Sequence, residues 1–122
     1  MLTYSQSTGK LTADGKLLAL CYAGRENGIN NPEMDHIKST GPLPKGHYYL
    51  EIKLGTKLGP IVFKLNPSKG NVMKGRSAFY IHWDNGMHNM SASEGCIVPI
   101  APFPPTNVFE YLKLEKELEV VG

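Results

Sequence analysis

A thiol and an imidazole, Cys96 and His82, stand near the two ends of the segment FYIHWDNGMHNMSASEGCIV, Phe79 to Val98. Such a pair can run acyl chemistry. The imidazole takes the thiol proton, the thiolate attacks a carbonyl carbon, and the imidazolium returns a proton to the leaving amine. The segment is composed to bring its ends together. Phe79 and Ile81 alternate with Tyr80 and His82 as in a strand, the stretch DNGMHNMSASEG is polar and turn-rich, and Cys96 opens a second apolar run. A hairpin or sheet crossover would set base beside nucleophile. Gly95 gives the backbone freedom next to the thiol, and the amides near Gly95 and Cys96 are candidates for an oxyanion hole.

The same two residues have a plainer reading. A cysteine is often a small buried hydrophobe, and a histidine at a strand end is often structural. Chemistry alone leaves both readings open. If the pair is catalytic, the imidazole needs an acceptor to orient it. Asp84, on the same side of an extended chain, Ser91, or a backbone carbonyl of the loop would serve. Ser93 is placed to hold the loop through side-chain to backbone hydrogen bonds. Trp83, Asn85 and Asn31 are candidate substrate contacts. His82, Asp84, His88 and Cys96 include metal-ligand types, but they lack the spacings of zinc sites, so no metal and no cofactor is expected.

Ser93-Glu94-Gly95-Cys96, followed by Ile97 and preceded by His82 at a strand end, resembles the active-site signature of the L,D-transpeptidases, the YkuD-like cysteine enzymes. The longer string IHWDNGMHNMSASEGCIV most resembles the type VI secretion L,D-transpeptidase effectors, bacterial toxins that act on peptidoglycan. Gly41-Pro42-Leu43-Pro44-Lys45-Gly46-His47-Tyr48 is similar to the Pro-x-Gly-x-Tyr approach to a strand in the same enzymes. Two departures stand out. The general pattern has a second histidine where this chain has Glu94, a replacement shared with the effector branch. It also has an arginine two residues beyond the cysteine, where this chain has Val98. Arg76 is the substitute expected to hold a substrate carboxylate.

The resemblance implies a mainly β fold, an L,D-transpeptidase-like sandwich or barrel with a short C-terminal helix and a closing strand. It implies an L,D-carboxypeptidase or L,D-transpeptidase acting on peptidoglycan stem peptides. It also implies dependence on a secretion machinery and a cognate immunity protein in the producing cell. Two other classes compete. One is a non-catalytic wall-binding or interaction module that keeps the fold, and the other is a Cys–His acyl enzyme with different peptide substrates.

The rest of the chain bounds these readings. Its 122 residues suit one domain with a modest core. Thirteen glycines and nine prolines favour turns and short strands over long helices. A net charge of +2, spread along the chain, gives no footprint for nucleic acid. No apolar run is long enough for membrane insertion. The N-terminal MLTYSQSTGK has neither a basic n-region nor an apolar h-region. No signal peptide is therefore expected, and a wall enzyme would be made in the cytoplasm and reach the periplasm of a target bacterium by delivery. Cys21 lies in an apolar strand-like run and is expected to be a buried free thiol rather than the disulfide partner of Cys96.

The patterning predicts a meander over Leu2–Gln6, Leu11–Ala13 and Lys16–Tyr22, with Asp14-Gly15 as a hairpin turn. The polar stretch from Gly24 to Gly41 is long for so small a domain and is a candidate lid or binding loop, with one helical turn near Pro32–His36. Strands are predicted over Tyr48–Leu54, Pro60–Leu65, Ser77–Trp83 and Cys96–Ile100. A helix over Asn107–Lys116 and a strand over Leu118–Val121 complete the chain. The basic loop Asn66–Arg76 could border the site or simply be solvated.

Overall fold

The structure is a computed structural model that describes residues 1–56, 59–83, 95–101 and 106–122. Eight strands form one sheet: β1 (Leu2–Ser5), β2 (Lys10–Ala13), β3 (Lys16–Tyr22), β4 (Gly46–Thr56), β5 (Gly59–Pro67), β6 (Phe79–Ile81), β7 (Val98–Ala101) and β8 (Glu117–Val121). A single α-helix, α1 (Thr106–Leu114), precedes β8, and two 3-10 turns lie at Glu26–Gly28 and Pro32–Met34. The strand order is β6-β5-β4-β8-β1-β2-β3-β7. Its two outer strands meet again through a parallel bridge between Ile81 and Ile97, which nearly closes the sheet into a barrel. The fold is therefore mainly β, with the short helix and terminal strand expected.

Local chemistry explains the meander. Asp14 and Gly15 both take positive φ, at 50° and 84°, as a two-residue turn between β2 and β3 requires. Period-two alternation then sets the inner face: Leu2 and Tyr4 from β1, Leu11 and Ala13 from β2, and Ala19 and Cys21 from β3 are all buried. Cys21 is thus one member of an apolar row. Neither cysteine is in a disulfide, and burial pushes the Cys21 thiol far up from its ordinary value.

β8 enters the middle of the sheet, parallel to β1 and antiparallel to β4, with Leu118 beside Leu2 and Tyr48. Leu118 and Val120 face the same core as Phe63, Leu65, Phe79 and Ile81. Val108 and Leu112, four apart on α1, join that core as one stripe. The helix stops at Leu114, and the Lys116 carbonyl accepts from the Leu50 amide at 2.9 Å, drawing the chain onto β4. Among the described residues, no helix is long and apolar enough to cross a membrane.

Boundaries differ from the patterning at β6. The predicted strand Ser77–Trp83 is only Phe79–Ile81, because Ala78 has φ of 65°, a left-handed conformation that interrupts an extended run. β4 and β5 run longer than predicted, pairing from Tyr48↔Pro67 out to Thr56↔Gly59. Near the far end of β4, Leu54 is exposed.

Candidate active site

The seam that closes the barrel is where His82 and Cys96 lie. The His82 amide donates to the Ile97 carbonyl at 3.1 Å, and the Ile97 amide donates to the Tyr80 carbonyl at 3.0 Å. Matched residues of a parallel pair face the same side, so Ile81 and Ile97 both point into the core, where each is fully buried. His82 and Cys96 each lie one residue from that bridge, His82 just past β6 and Cys96 in the bend before Ile97. At 3% and 8% relative exposure, both are enclosed groups rather than surface ones.

The imidazole is oriented by its own neighbour. His82 Nδ1 lies 3.1 Å from the Trp83 carbonyl oxygen. A carbonyl can only accept, so Nδ1 carries a hydrogen and donates it to Trp83. A backbone carbonyl thus fixes the ring's orientation. Trp83 itself is half-buried, packed against the edge of the core.

Behind the thiol lies a buried polar cluster. Arg76 is 6% exposed. Its Nη1 donates to the carbonyls of Asp35 and Pro42 at 2.8 and 2.6 Å, and its Nη2 donates to that of Gly41 at 2.9 Å. The guanidinium carbon lies 5.0 Å from the centre of the Phe79 ring, a cation–π distance. Nη2 also packs directly on Gly95: a Cβ there would come within 2.5 Å of it and within 2.7 Å of the Phe79 ring. Gly95 has φ of +129°, and its carbonyl accepts from the Leu43 amide at 3.0 Å. Glycine is therefore required immediately before the thiol for space as well as for conformation.

Asp35 organises the other side of this cluster. Its Oδ1 accepts from Lys74 Nζ at 2.7 Å and its Oδ2 from Gln6 Nε2 at 3.2 Å. Gln6, fully buried, also donates to the Leu43 carbonyl at 2.9 Å. Burial by itself would raise the Asp35 carboxyl. The Lys74 and Gln6 hydrogen bonds and the charges of Lys74 and Lys45 outweigh it and hold the group below its usual range. Burial lowers Arg76, while the anionic forms of Asp35, Tyr48 and Cys96 favour its charge. An arginine so treated stays a cation at any physiological pH. Burial pushes the Tyr48 phenol far up, so it stays neutral and donates to the Pro44 carbonyl at 2.6 Å.

The stretch from Gly24 to Gly41, read as a candidate lid, is thus tied down at its C-terminal end by Arg76, Gln6 and Lys74. Asn31, a candidate substrate contact, caps the second 3-10 turn: its Oδ1 accepts from the Glu33 amide at 3.2 Å and its Nδ2 donates to the Asn27 carbonyl at 3.3 Å. Asp84, Asn85, Ser91 and Ser93 lie outside the described residues. Among the described residues, no group of three His, Cys, Asp or Glu is arranged to hold a metal ion.

Sequence reasoning missed Gln6, Asp35 and Asn71. Asn71 exchanges two 2.9 Å hydrogen bonds with the backbone of His47, so its side chain pairs with β4 as a strand would. Asp35 and Asn71 sit in polar, turn-rich surroundings that read as solvated, and Gln6 reads as the polar end of a predicted strand. Nothing local distinguishes a buried Asp35 from an exposed one.

A family model described as the Tlde1 domain matches residues 19–122. The match begins within β3 and includes the whole seam with His82, Gly95 and Cys96. Comparison with curated proteins gives no match.

Proposed function

Because the chain belongs to the Tlde1 domain family, the type VI secretion L,D-transpeptidase effectors, we propose that it is an antibacterial enzyme that cuts or exchanges peptidoglycan stem peptides through Cys96 and His82. The observation that carries this reading is the seam. A buried imidazole, its Nδ1 on the Trp83 carbonyl, and a buried cysteine outside any disulfide flank the same parallel bridge, each one residue from it.

His82 Nε2 takes the Cys96 proton, and the thiolate attacks the carbonyl carbon of the third stem residue. Amides at Gly95 and Cys96 stabilise the oxyanion. The tetrahedral species collapses, the C–N bond breaks, and His82 protonates the departing amine of the terminal D-amino acid. A thioester remains on Cys96. Water resolves it to the tripeptide, a carboxypeptidase outcome. The amine of a free D-amino acid or of another stem resolves it to an exchanged or cross-linked product. The protein would act in the periplasm of a target cell after delivery by the secretion machinery, with an immunity protein guarding the producer.

Incubation with purified muropeptides followed by mass spectrometry tests the reading. Loss of one D-alanine from tetrapeptides, or its replacement by an added D-amino acid, is expected. Unchanged tetrapeptides under both conditions would count against it.

A further inference from the structure

We propose that Arg76 is a positioning residue for the reaction, fixing the Gly95–Cys96 backbone and holding a cation beside the thiol in its ionised, attacking form. The inference rests on Cys96 being the nucleophile and concerns what makes that thiol competent.

Three segments converge on this guanidinium. The turn at Asp35–Pro42 offers it three carbonyls, Phe79 of β6 offers a ring face, and Gly95 offers a bare Cα that no other residue could present. The Leu43 amide, one residue past the clamped carbonyls, in turn holds the Gly95 carbonyl. Moving Arg76 would therefore move the main chain that aims the thiol. Its planar fork reaches carbonyls on two sides at once, which a lysine ammonium cannot match.

The charge has a second consequence. His82 is the proposed proton-transfer group, whereas Arg76 reaches the residue before the thiol from the Phe79 side and adds a fixed charge to its hold on the backbone. A fixed cation in buried surroundings favours a neighbouring anion more strongly than it would in water. Cys96 is among the groups whose ionisation favours the Arg76 charge, and the coupling is mutual. The other described ionisable groups around the cluster are Asp35 on the turn, Lys74 on the loop after β5, Lys45 and Tyr48 at the start of β4, and His82 itself. Lys74 and Gln6 engage the Asp35 carboxylate, and Asp35 reaches Arg76 through its backbone carbonyl.

The test is the pH dependence of iodoacetamide alkylation at Cys96 in the full chain, resolved from Cys21 by peptide mass mapping, for wild type, Arg76→Gln, Arg76→Lys and Asp35→Asn. Each variant is first checked for cooperative thermal unfolding. Arg76→Gln should raise the alkylation midpoint by about one pH unit or more. Arg76→Lys, which keeps the charge and loses the fork, should stay nearer the wild-type midpoint while losing cleavage rate at saturating substrate. Asp35→Asn, which removes a nearby negative charge and keeps the carbonyl that Arg76 grips, should lower the midpoint. A folded Arg76→Gln with the wild-type midpoint would overturn the proposal, as would Arg76→Lys shifted as far as Arg76→Gln. If Arg76→Gln does not fold, an unchanged or raised midpoint in Asp35→Asn overturns it. The profile needs no substrate, so it stands apart from the nucleophile assignment, which undiminished cleavage by Cys96→Ser would refute.

Discussion

The His82 amide donates to the Ile97 carbonyl at 3.1 Å, and that bond ties the residue just past β6 to the one just before β7. The two edges of the sheet meet nowhere else among the described strand pairings. Closure of the sheet therefore also sets the neighbourhoods of His82 and Cys96 together, and a change that opens the seam separates them.

His82→Asn separates the ring's two jobs. The Asn side-chain amide can replace Nδ1–H as donor to the Trp83 carbonyl but has no basic Nε2. Stability should stay within ~1 kcal/mol of wild type, while stem-peptide cleavage falls to the level of His82→Ala. Urea unfolding and a muropeptide assay on the same preparations check both halves.

Gly95→Ala should be among the most damaging small substitutions in the chain. The new methyl meets the Arg76 guanidinium and the Phe79 ring at a φ that L-residues rarely adopt. Strain and overpacking together should cost ~2–4 kcal/mol. Gly15→Ala also has a positive φ but opens onto empty space, so ~1 kcal/mol is expected there. Equal destabilisation of the two variants would contradict the close packing of Arg76 on Gly95.

Asp35 gives a pH dependence of definite sign. Its folded value lies below the unfolded one, so its contribution to stability is complete above the ordinary carboxylate value and fades as pH falls through the folded value. Wild type and Asp35→Asn should differ most in urea midpoint between about pH 5 and 7, with the gap closing below about pH 4. A gap independent of pH would mean that the Lys74 and Gln6 contacts do not hold the carboxylate.

Much of this was legible from the residues. Asp14-Gly15 announced its hairpin because turn chemistry is local, and the alternating rows of β1 to β3 announced their inner face for the same reason. His82 and Cys96 stood out because few stretches bring a base and a thiol to the ends of one polar loop. The cluster behind them was not legible. Arg76 stood out only as a candidate to hold a substrate carboxylate, Gln6 only as the end of a predicted strand, and Asp35 as an ordinary polar residue of a loop. Only the tertiary structure brings Gln6, near the start of the chain, against Asp35, and Asp35 against Arg76, and that joint burial leaves no periodicity or spacing to read. β6 was overextended for a related reason: a left-handed Ala78 is imposed by the fold and has no glycine to mark it.

The most direct measurement compares Cys96→Ser with Cys21→Ser on purified tetrapeptide muropeptides, with thermal unfolding alongside. Cys96→Ser should fold as wild type does and lose cleavage, since a serine hydroxyl is a far weaker acid than the thiol it replaces. Cys21→Ser puts a hydroxyl into the buried apolar row of β3, so it should retain cleavage and lose ~1–3 kcal/mol of stability. Full cleavage by a folded Cys96→Ser protein would contradict the assignment of Cys96 as nucleophile.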